Sequence, residues 1–433
     1  MLRLRWRCPT GLTRSRSVTA AVLTAVVVSA AGLPAADGVP ARSAIATPLS
    51  APGTVSGWIP SWSNRTSLAA VTANRDLVKT VSPFWYSLVV VPRKGLHIES
   101  AQLGGGTHAG TVAALHAAGV KVIPTLTDTT PPRYLATALA SGPRRASLAT
   151  SLARFVVRNR LDGVDLDWEN FAFSDGARTW AKTRPAWVDF VRLLSAQLRA
   201  RGKALTVSVP PMYGNGRTAS SGYWVYDYAA IASSVSQLRV MAYDYSVAKP
   251  GPIAPLLWDT AVIAFTSSVV PAAKVALGVP AYGRSWVVAT QGRCPVGTNN
   301  GVVVLSSAGW DRFAGSIGGS VRYDTTVGEN TMTYRRVHTG IAPSVRSVRP
   351  GSRAAARQIR KTTTCTLTRT AWWESSRAIA ARTQLAQQAH LASIAVWSLD
   401  AMTAETWSVL RGNSHARAKA REAAVLVAAR RAR

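Results

Sequence analysis

Short runs of apolar residues alternate along the chain with segments in which apolar residues recur every three or four positions. The runs are rich in Val, Ile, Leu and aromatic residues, which is typical of strands that are buried on both faces. They predict eight strands, at residues 55–62, 81–90, 120–127, 161–169, 204–210, 238–245, 274–282 and 392–400. The amphipathic segments predict helices at residues 67–79, 111–118, 146–159, 186–201, 228–235, 255–270, 375–390 and 404–410.

The order of these elements indicates the fold class. Strands that alternate with helices form a parallel sheet, and eight such repeats predict an α/β fold of the (β/α)8 TIM-barrel type. An open, doubly wound sheet is less consistent with the sequence, because no Gly-x-Gly-x-x-Gly segment follows the first strand. In a barrel, functional residues are expected at the carboxyl ends of the strands.

The interval between the seventh and eighth strands is too long for a simple connecting loop. It spans residues 285–370 and contains three short stretches, 302–305, 320–324 and 331–334, that predict antiparallel strands. We expect a small α+β domain, inserted between strands 7 and 8, that forms one wall of the cleft.

The whole chain then divides into six parts. We expect a signal peptide at 1–36, a linker at 37–54, barrel strands 1–7 at 55–284, the α+β insertion at 285–370, barrel strand 8 and the final helix at 371–411, and a basic tail at 412–433.

The fourth predicted strand carries three carboxylates at every second position: Asp165, Asp167 and Glu169. Because side chains alternate between the two faces of a strand, all three acids should point the same way. Acids this close cannot all ionise, so they should share a proton, and Glu169 at the strand end is placed to act as an acid on a ligand. A structural acid cluster, such as a calcium site or a set of buried ion pairs, is the alternative.

Charge and the N-terminus bear on the partners and on the location of the protein. The formal net charge is +31, which favours anionic partners such as cell-wall polymers or membrane surfaces, although an Arg- and Ala-rich composition explains it equally well. No nucleic-acid-binding signature is present. Five arginines precede an apolar run at residues 18–31, which is short for a membrane span and predicts a cleaved signal peptide. We therefore expect a secreted or wall-associated monomer without a stable membrane span.

Removal of the signal peptide would leave two cysteines, Cys294 and Cys365. In an exported protein an isolated pair predicts a disulfide, and two free thiols are the alternative.

The acidic strand also resembles a known family. The segment Asp162-Gly-Val-Asp-Leu-Asp-Trp-Glu169 is similar to the Asp-Gly-x-Asp-x-Asp-x-Glu signature of glycoside hydrolase family 18, the chitinase-like enzymes. Met241-Ala-Tyr-Asp244 resembles the end of the family's sixth strand, and Leu277–Gly283 resembles its seventh. Residues 395–400 resemble its last strand, and an inserted α+β domain before that strand is a family trait.

The resemblance implies a role for each matched residue. Glu169 would protonate the glycosidic oxygen, and Asp167 would orient the 2-acetamido group of the substrate while sharing a proton with Asp165. Tyr243 would bind the acetamido oxygen. Trp397 would form the floor of the sugar site, with a packed barrel tryptophan as the alternative. The remaining candidates would line the same pocket or simply fill the barrel: Asp244, Met241, Tyr213 and Tyr282.

The third strand departs from the chitinase pattern. Chitinases of the family usually carry Ser-x-Gly-Gly there, whereas this chain reads Ile123-Pro-Thr-Leu-Thr-Asp128. The strand is more similar to the bacterial branch that includes spore-cortex and peptidoglycan-fragment glucosaminidases. We therefore expect a polymer containing N-acetylglucosamine as the partner, either peptidoglycan or chitin, and no metal or organic cofactor.

Two other classes of function remain open from the sequence. One is a non-catalytic, lectin-type member of the same fold, although such relatives usually lose the acid that Glu169 supplies. The other is a cell-surface adhesion module that acts through its charge.

Overall fold

Eight parallel strands close into a barrel in the computed structural model, which describes residues 54–342 and 362–412. Numbered in chain order, the barrel strands are β1 (Thr54–Pro60), β2 (Val78–Val91), the broken pair β4 (Lys121–Val122) and β5 (Thr125–Asp128), β6 (Gly163–Asp167), β7 (Ala204–Val209), β8 (Gln237–Val240), β9 (Val275–Pro280) and β15 (Ser393–Trp397). Closure is complete because β1 pairs with β2 on one side and with β15 on the other. The predicted α/β barrel is therefore confirmed.

Helices cover the outside of this barrel. They are α1 (Asn64–Ala73), α2 (His108–Ala117), α3 (Tyr134–Ala140), α4 (Gly142–Arg158), α5 (Trp180–Arg199), α6 (Tyr228–Ile231), α7 (Leu256–Val269), α9 (Ser376–Gln388) and a last helix, α10, at residues 404–412. The longest, α5, buries Val188, Val191, Leu194 and Leu198 against the barrel, as their helical spacing predicts. None of the helices in the described ranges is long and apolar enough to span a membrane.

A five-stranded antiparallel sheet is inserted between β9 and β15. It consists of β10 (Tyr282–Gly292), β11 (Val303–Ser306), β12 (Arg322–Asp324), β13 (Glu329–Ile341) and β14 (Thr362–Trp373), with helix α8 (Ser307–Ser316) on one face. Trp310 stacks on Trp373 at 6.0 Å between ring centroids and gives the insertion a small core of its own. A disulfide joins Cys294 to Cys365, beside the pairing of β10 with β14.

Several boundaries differ from those that the sequence predicts. The insertion's sheet begins at Tyr282 and ends at Trp373, so the predicted limits 285 and 370 fall within β10 and β14. Apolar patterning cannot separate β9 from β10, because only Ala281 lies between them. The third strand is broken between β4 and β5, where Pro124 has no N–H to donate. The predicted signal peptide, nearly all of the linker and all but the first residue of the tail lie outside the described residues.

One hairpin was not predicted as a separate element. Strand β2 continues beyond the barrel to Val91 and pairs with the antiparallel strand β3 (Gly95–Ser100). The apolar run predicts a strand at 81–90, but residues 95–100 contain only two apolar side chains, Leu96 and Ile98, so neither β3 nor the turn before it was predicted.

A buried ionic cluster joins the insertion to the barrel. Arg382 of α9 lies 3.2 Å from Asp259 of α7, 3.4 Å from Glu329 of β13 and 2.9 Å from Glu374, which follows β14. All four side chains are buried. Burial is the main cause that raises the pKa of each carboxyl, and the Arg382 charge opposes it. Because one arginine pairs with three buried acids, moving any of these elements would leave a buried charge without its partner, so their relative position is costly to change.

We expect the disulfide to stabilise the insertion strongly. The bridge closes a loop of 71 residues in the unfolded chain, and a chain-entropy argument for such a loop gives about 4 kcal/mol. The Cys294→Ser/Cys365→Ser variant should therefore unfold at a clearly lower urea concentration than the wild type, monitored by tryptophan fluorescence. Equal midpoints for the variant and the oxidised wild type would contradict this expectation. Wild type treated with reductant serves as the control, and it should unfold like the variant.

Candidate active site

A cleft of about 470 Å3 lies at the carboxyl ends of the barrel strands. Its polar lining includes Asp167 at the end of β6, Glu169 just beyond it, Tyr243 and Asp244 after β8, and Arg284 on β10. Residues 304–306 of the insertion form part of the wall. The apolar lining consists mainly of aromatic residues: Trp58, Trp62, Phe84, Tyr282 and Trp397. An acidic centre with aromatic walls is suited to a polar ligand with apolar C–H faces, such as a sugar.

All five residues of β6 are buried, so each side chain packs either inside the barrel or against the surrounding helices. Asp165 and Asp167 point to the barrel interior, whereas Trp168 packs outward and stacks on Phe190 with ring centroids 5.0 Å apart. Glu169 does not belong to the strand. It is the first residue of a short 3-10 helix, Glu169–Phe171, and lies two residues beyond the end of β6.

Asp165 lies below the cleft floor and is fully buried. It accepts hydrogen bonds from Thr125 at 2.7 Å and from Ser208 at 2.9 Å. Nη1 of Arg239, on β8, lies 3.7 Å from Oδ2 of Asp165, the oxygen that also accepts from Thr125. Burial raises the pKa of Asp165, and the Arg239 charge and the two hydroxyl donors oppose that rise. These contacts therefore offset part of the cost of burying the Asp165 charge.

Asp167 and Glu169 form no ion pair with any residue that the structure describes. Burial, followed by the charges of Glu169 and Asp165, holds the pKa of Asp167 well above its usual range. Asp167 Oδ1 is buried and makes no hydrogen bond within residues 54–342 and 362–412. Burial, followed by the charge of Asp244, raises the pKa of Glu169 to about 7. Glu169 can therefore carry a proton near neutral pH and release it during a reaction.

Asp244 is fixed at the other side of the cleft. Arg284 donates to it through both terminal nitrogens, with Nη2 3.0 Å from Oδ2, and the Tyr282 hydroxyl also donates to it. The backbone of Asp244 is left-handed, with φ at 62°, a conformation that is costly for a residue with a Cβ and is often found at functional sites. This arrangement keeps a negative charge near Glu169.

The insertion braces the segment that follows Tyr243 and Asp244. Glu329 accepts hydrogen bonds from the backbone N–H groups of Ile253 at 2.8 Å and Ala254 at 2.7 Å. The Ile253 carbonyl in turn accepts from the N–H of Tyr245 at 2.8 Å. A second contact comes from Trp286, whose Nε1 donates to the Val247 carbonyl at 2.8 Å. The insertion therefore holds the loop after β8 at three points, at Val247, Ile253 and Ala254.

Trp397 lies at the centre of the aromatic wall. Its ring meets Trp58 edge-on at 5.8 Å and Phe84 at 5.0 Å between centroids. Its ring is partly exposed, whereas Trp58 is buried. Trp397 is therefore held by aromatic neighbours and can still contact a ligand.

The structure brings together most of the predicted site residues. Seven of them line the cleft: Asp167, Glu169, Met241, Tyr243, Asp244, Tyr282 and Trp397. Asp165 lies beneath it. Tyr213 is the exception, since it is 39% exposed, packs near Trp258 at 6.3 Å and is not among the lining residues. The chain after β7 forms a long loop that carries Tyr213 away from the strand end, which the sequence pattern did not show.

Three residues of the site were missed from the sequence: Arg239, Arg284 and Glu329. Arg239 could have been found, because an arginine on the strand before Met241 interrupts an otherwise apolar run. Arg284 and Glu329 lie in or beside the insertion, and no local pattern relates them to β6 or β8. No cluster of three or more His, Cys, Asp or Glu side chains able to hold a metal occurs among the residues that the structure describes.

Comparison with known proteins adds to this geometry. The profile of glycosyl hydrolases family 18 matches residues 93–401. A putative sporulation-specific glycosylase, YdhD of Bacillus subtilis (strain 168), is 32% identical over 151 residues, which is 34% of this chain and 33% of that protein. The chain thus spans about a third of the length of the first curated relatives that it matches.

Solved structures share the fold at low sequence identity. A chitinase from Chromobacterium violaceum ATCC 12472 superposes with a TM-score of 0.63 at 18% identity, over 83% of this chain and 98% of that one. The spore cortex-lytic enzyme SleL of Bacillus megaterium QM B1551 gives a TM-score of 0.64 at 14% identity, over 84% of this chain and 75% of that one.

The pairing of Arg239 with Asp165 can be tested by a double-mutant cycle. Arg239→Met leaves a buried carboxylate without its cation, and we expect a loss of about 3 kcal/mol in the free energy of unfolding. Without Arg239 the folded-state pKa of Asp165 rises further above its unfolded value, so the loss should shrink as the pH falls. Adding Asp165→Asn should recover most of the loss, as measured by urea unfolding.

Arg382→Met provides the matched control. Arg382 is also a buried arginine, but its ion pairs are with Asp259, Glu329 and Glu374. The combination of Arg382→Met with Asp165→Asn should be additive. Additivity in the Arg239 cycle as well would show that Arg239 and Asp165 are not coupled.

Proposed function

The chain belongs to family 18 of the glycosyl hydrolases, and on that premise we propose that it cleaves β-1,4-linked N-acetylglucosamine polymers by a substrate-assisted, retaining mechanism. The observation that carries the proposal is the raised pKa of Glu169, about 7, at the floor of an aromatic cleft. A carboxyl with this pKa can serve as a general acid near neutral pH and as a general base after it has lost its proton.

In the first step Glu169 gives its proton to the glycosidic oxygen. The 2-acetamido oxygen of the substrate attacks the anomeric carbon as the bond to the leaving sugar breaks, and an oxazolinium intermediate forms. Family 18 is an exception to the two-carboxylate rule for retaining glycosidases, because the substrate itself supplies the nucleophile. This chemistry requires an N-acetylated sugar at the cleaved bond.

Asp167 and Tyr243 position that acetamido group. Asp167 has an unpaired, buried Oδ1 beside Glu169, which is able to accept the hydrogen bond of the acetamido N–H. The hydroxyl of Tyr243 would bind the acetamido oxygen from the opposite side. Because the pKa values of Asp167 and Glu169 are both raised, a proton held by these two acids can stabilise the charge that develops on the substrate.

In the second step water opens the oxazolinium ring. Glu169, now ionised, removes a proton from the water while the water oxygen bonds to the anomeric carbon. The water attacks from the face that the leaving sugar vacated, so the configuration of the anomeric carbon is retained. Trp397 would carry the apolar face of the sugar throughout, because C–H groups on that face pack well on an aromatic ring.

Two features support a wall polymer and action outside the cytoplasm. The curated relatives include the putative sporulation-specific glycosylase YdhD, and the structural neighbours include both a cortex-lytic enzyme and a chitinase. The N-terminal segment has the pattern of a signal peptide, and the Cys294–Cys365 disulfide suits an oxidising compartment. Secretion therefore forms part of the proposal.

We expect the rate to fall as the pH rises through about 7, since the general acid must be protonated. The charge of Asp244 contributes to the raised pKa of Glu169. In Asp244→Asn that repulsion is lost, so the alkaline limb of kcat/KM against pH should move to lower pH. An alkaline limb that stays in place would show that Asp244 does not act on Glu169.

Glu169→Gln tests the proposal directly. Peptidoglycan and chitin oligosaccharides are incubated separately with the protein, and products are identified by mass spectrometry. We expect new reducing N-acetylglucosamine ends from at least one polymer and a loss of about a thousandfold in Glu169→Gln.

Glu99→Gln, which changes an exposed glutamate on β3, is the matched control and should leave the rate unchanged. Binding of both polymers without cleavage by the wild type would replace the proposal with a lectin-type function. Normal turnover by Glu169→Gln would also overturn it.

A further inference from the structure

A second, larger cavity lies on the flank of the barrel, away from the acidic cleft. It has a volume of about 680 Å3 and lies between the β2–β3 hairpin and helices α3 and α4. None of its lining residues lines the cleft that contains Glu169. We call it the flank groove, and it has no part in the reaction described above.

Among the residues that the structure describes, several cations and no carboxylate line the flank groove. Arg93 and Lys94 come from the hairpin turn, and Arg144 and Arg158 come from α4. His97 of β3 also lines the groove. The ion pairs found in the described residues include none of these side chains, whereas the adjacent Arg145 is paired with Asp189 at 3.3 Å. Unpaired cations around one concavity are suited to an anionic ligand.

The α4 side of the groove is a single helical stripe. Its members Arg144, Ser147, Ser151, Phe155 and Arg158 are spaced by three or four residues, so they lie on one face of the helix. With a rise of 1.5 Å per residue, the two arginines are about 21 Å apart along the axis. A cation at each end and hydroxyls between them favour an extended chain over a small compact anion.

The floor of the groove is apolar. Leu88 of β2 and Leu96 and Ile98 of β3 face Leu148 and Leu152 of α4 across it. Phe155 is fixed edge-on against Tyr86, with ring centroids 4.9 Å apart. Such a floor accepts the C–H groups of a polyol, and arginine side chains bind phosphate oxygens through paired N–H groups.

We propose that the flank groove binds a linear polyol chain linked by phosphodiesters. The polymer lies along α4, with its phosphates on Arg144 and Arg158 at the ends and on Arg93 and Lys94 from the hairpin. Such binding would hold the enzyme on an anionic wall while the cleft acts on the glycan. That tethering role rests on the proposed function, but the binding itself does not.

The test is a binding measurement with the full chain and end-labelled poly(glycerol phosphate), followed by fluorescence anisotropy at physiological salt. The groove variant is Arg144→Ser/Arg158→Ser. The control variant is Arg154→Ser/Arg192→Ser, which removes two exposed arginines from α4 and α5 that do not line the groove. Both variants have the same net charge, so the overall charge of +31 and the basic tail affect them equally.

We expect the groove variant to bind about tenfold more weakly than the wild type, because two arginines that contact the same polymer both contribute to the binding free energy. The control should stay within about twofold of the wild type, because a single exposed ion pair contributes little. Ser151→Glu, at an exposed position in the middle of the stripe, should weaken binding to a similar degree without affecting the fold. Hydrolysis of a soluble oligosaccharide should be unchanged in all three variants.

Four results would overturn the proposal. They are an equal loss in the groove and control variants, equal affinity for polyglutamate, binding to anionic lipid vesicles but not to poly(glycerol phosphate), and no binding of the polymer by the wild type. A failure to hydrolyse any glycan would count against the proposed function and would leave the binding result intact.

Discussion

The burial of carboxylates with too few cations is the constraint on which the rest of the structure depends. The barrel interior holds Asp165, Asp167 and Glu169 in a row, and Arg239 is the cation that contacts the row within the described residues. Because Arg239 lies at the lower end, it opposes the rise in the pKa of Asp165 that burial causes, whereas burial and neighbouring carboxylates both raise the pKa values of Asp167 and Glu169. Burial thus raises the pKa of all three acids, and the contact with Arg239 opposes that effect at Asp165, below the cleft.

The same constraint recurs where the insertion meets the barrel. Arg382 is shared by Asp259, Glu329 and Glu374, and all are buried. Removing one partner from such a cluster leaves uncompensated charge, so the insertion is held in one position relative to α7 and α9. The Glu329 carboxylate also accepts hydrogen bonds from two backbone N–H groups of the loop after Tyr243 and so holds that loop in place. The insertion therefore contributes to the geometry of the cleft as well as to its wall.

Much of the fold and the centre of the site could be predicted from the sequence, because both depend on short local patterns of residues. Apolar runs gave the barrel strands, and the alternation of Asp165, Asp167 and Glu169 gave the direction in which the acids point. What could not be predicted depends on distant residues. Arg284 reaches Asp244 across 40 positions, and Glu329 reaches Ile253 across 76. Tyr213 was misplaced for the same reason, since the path of a long loop depends on its tertiary contacts.

The most direct test of the central account is the configuration of the first product. Hydrolysis of an N-acetylglucosamine oligosaccharide can be followed by proton NMR before the new reducing end equilibrates. The account predicts that the β-anomer appears first, because the acetamido group attacks one face and water attacks the other. Initial release of the α-anomer would mean that water displaces the leaving sugar directly, and it would contradict the roles given to Asp167, Tyr243 and Glu169.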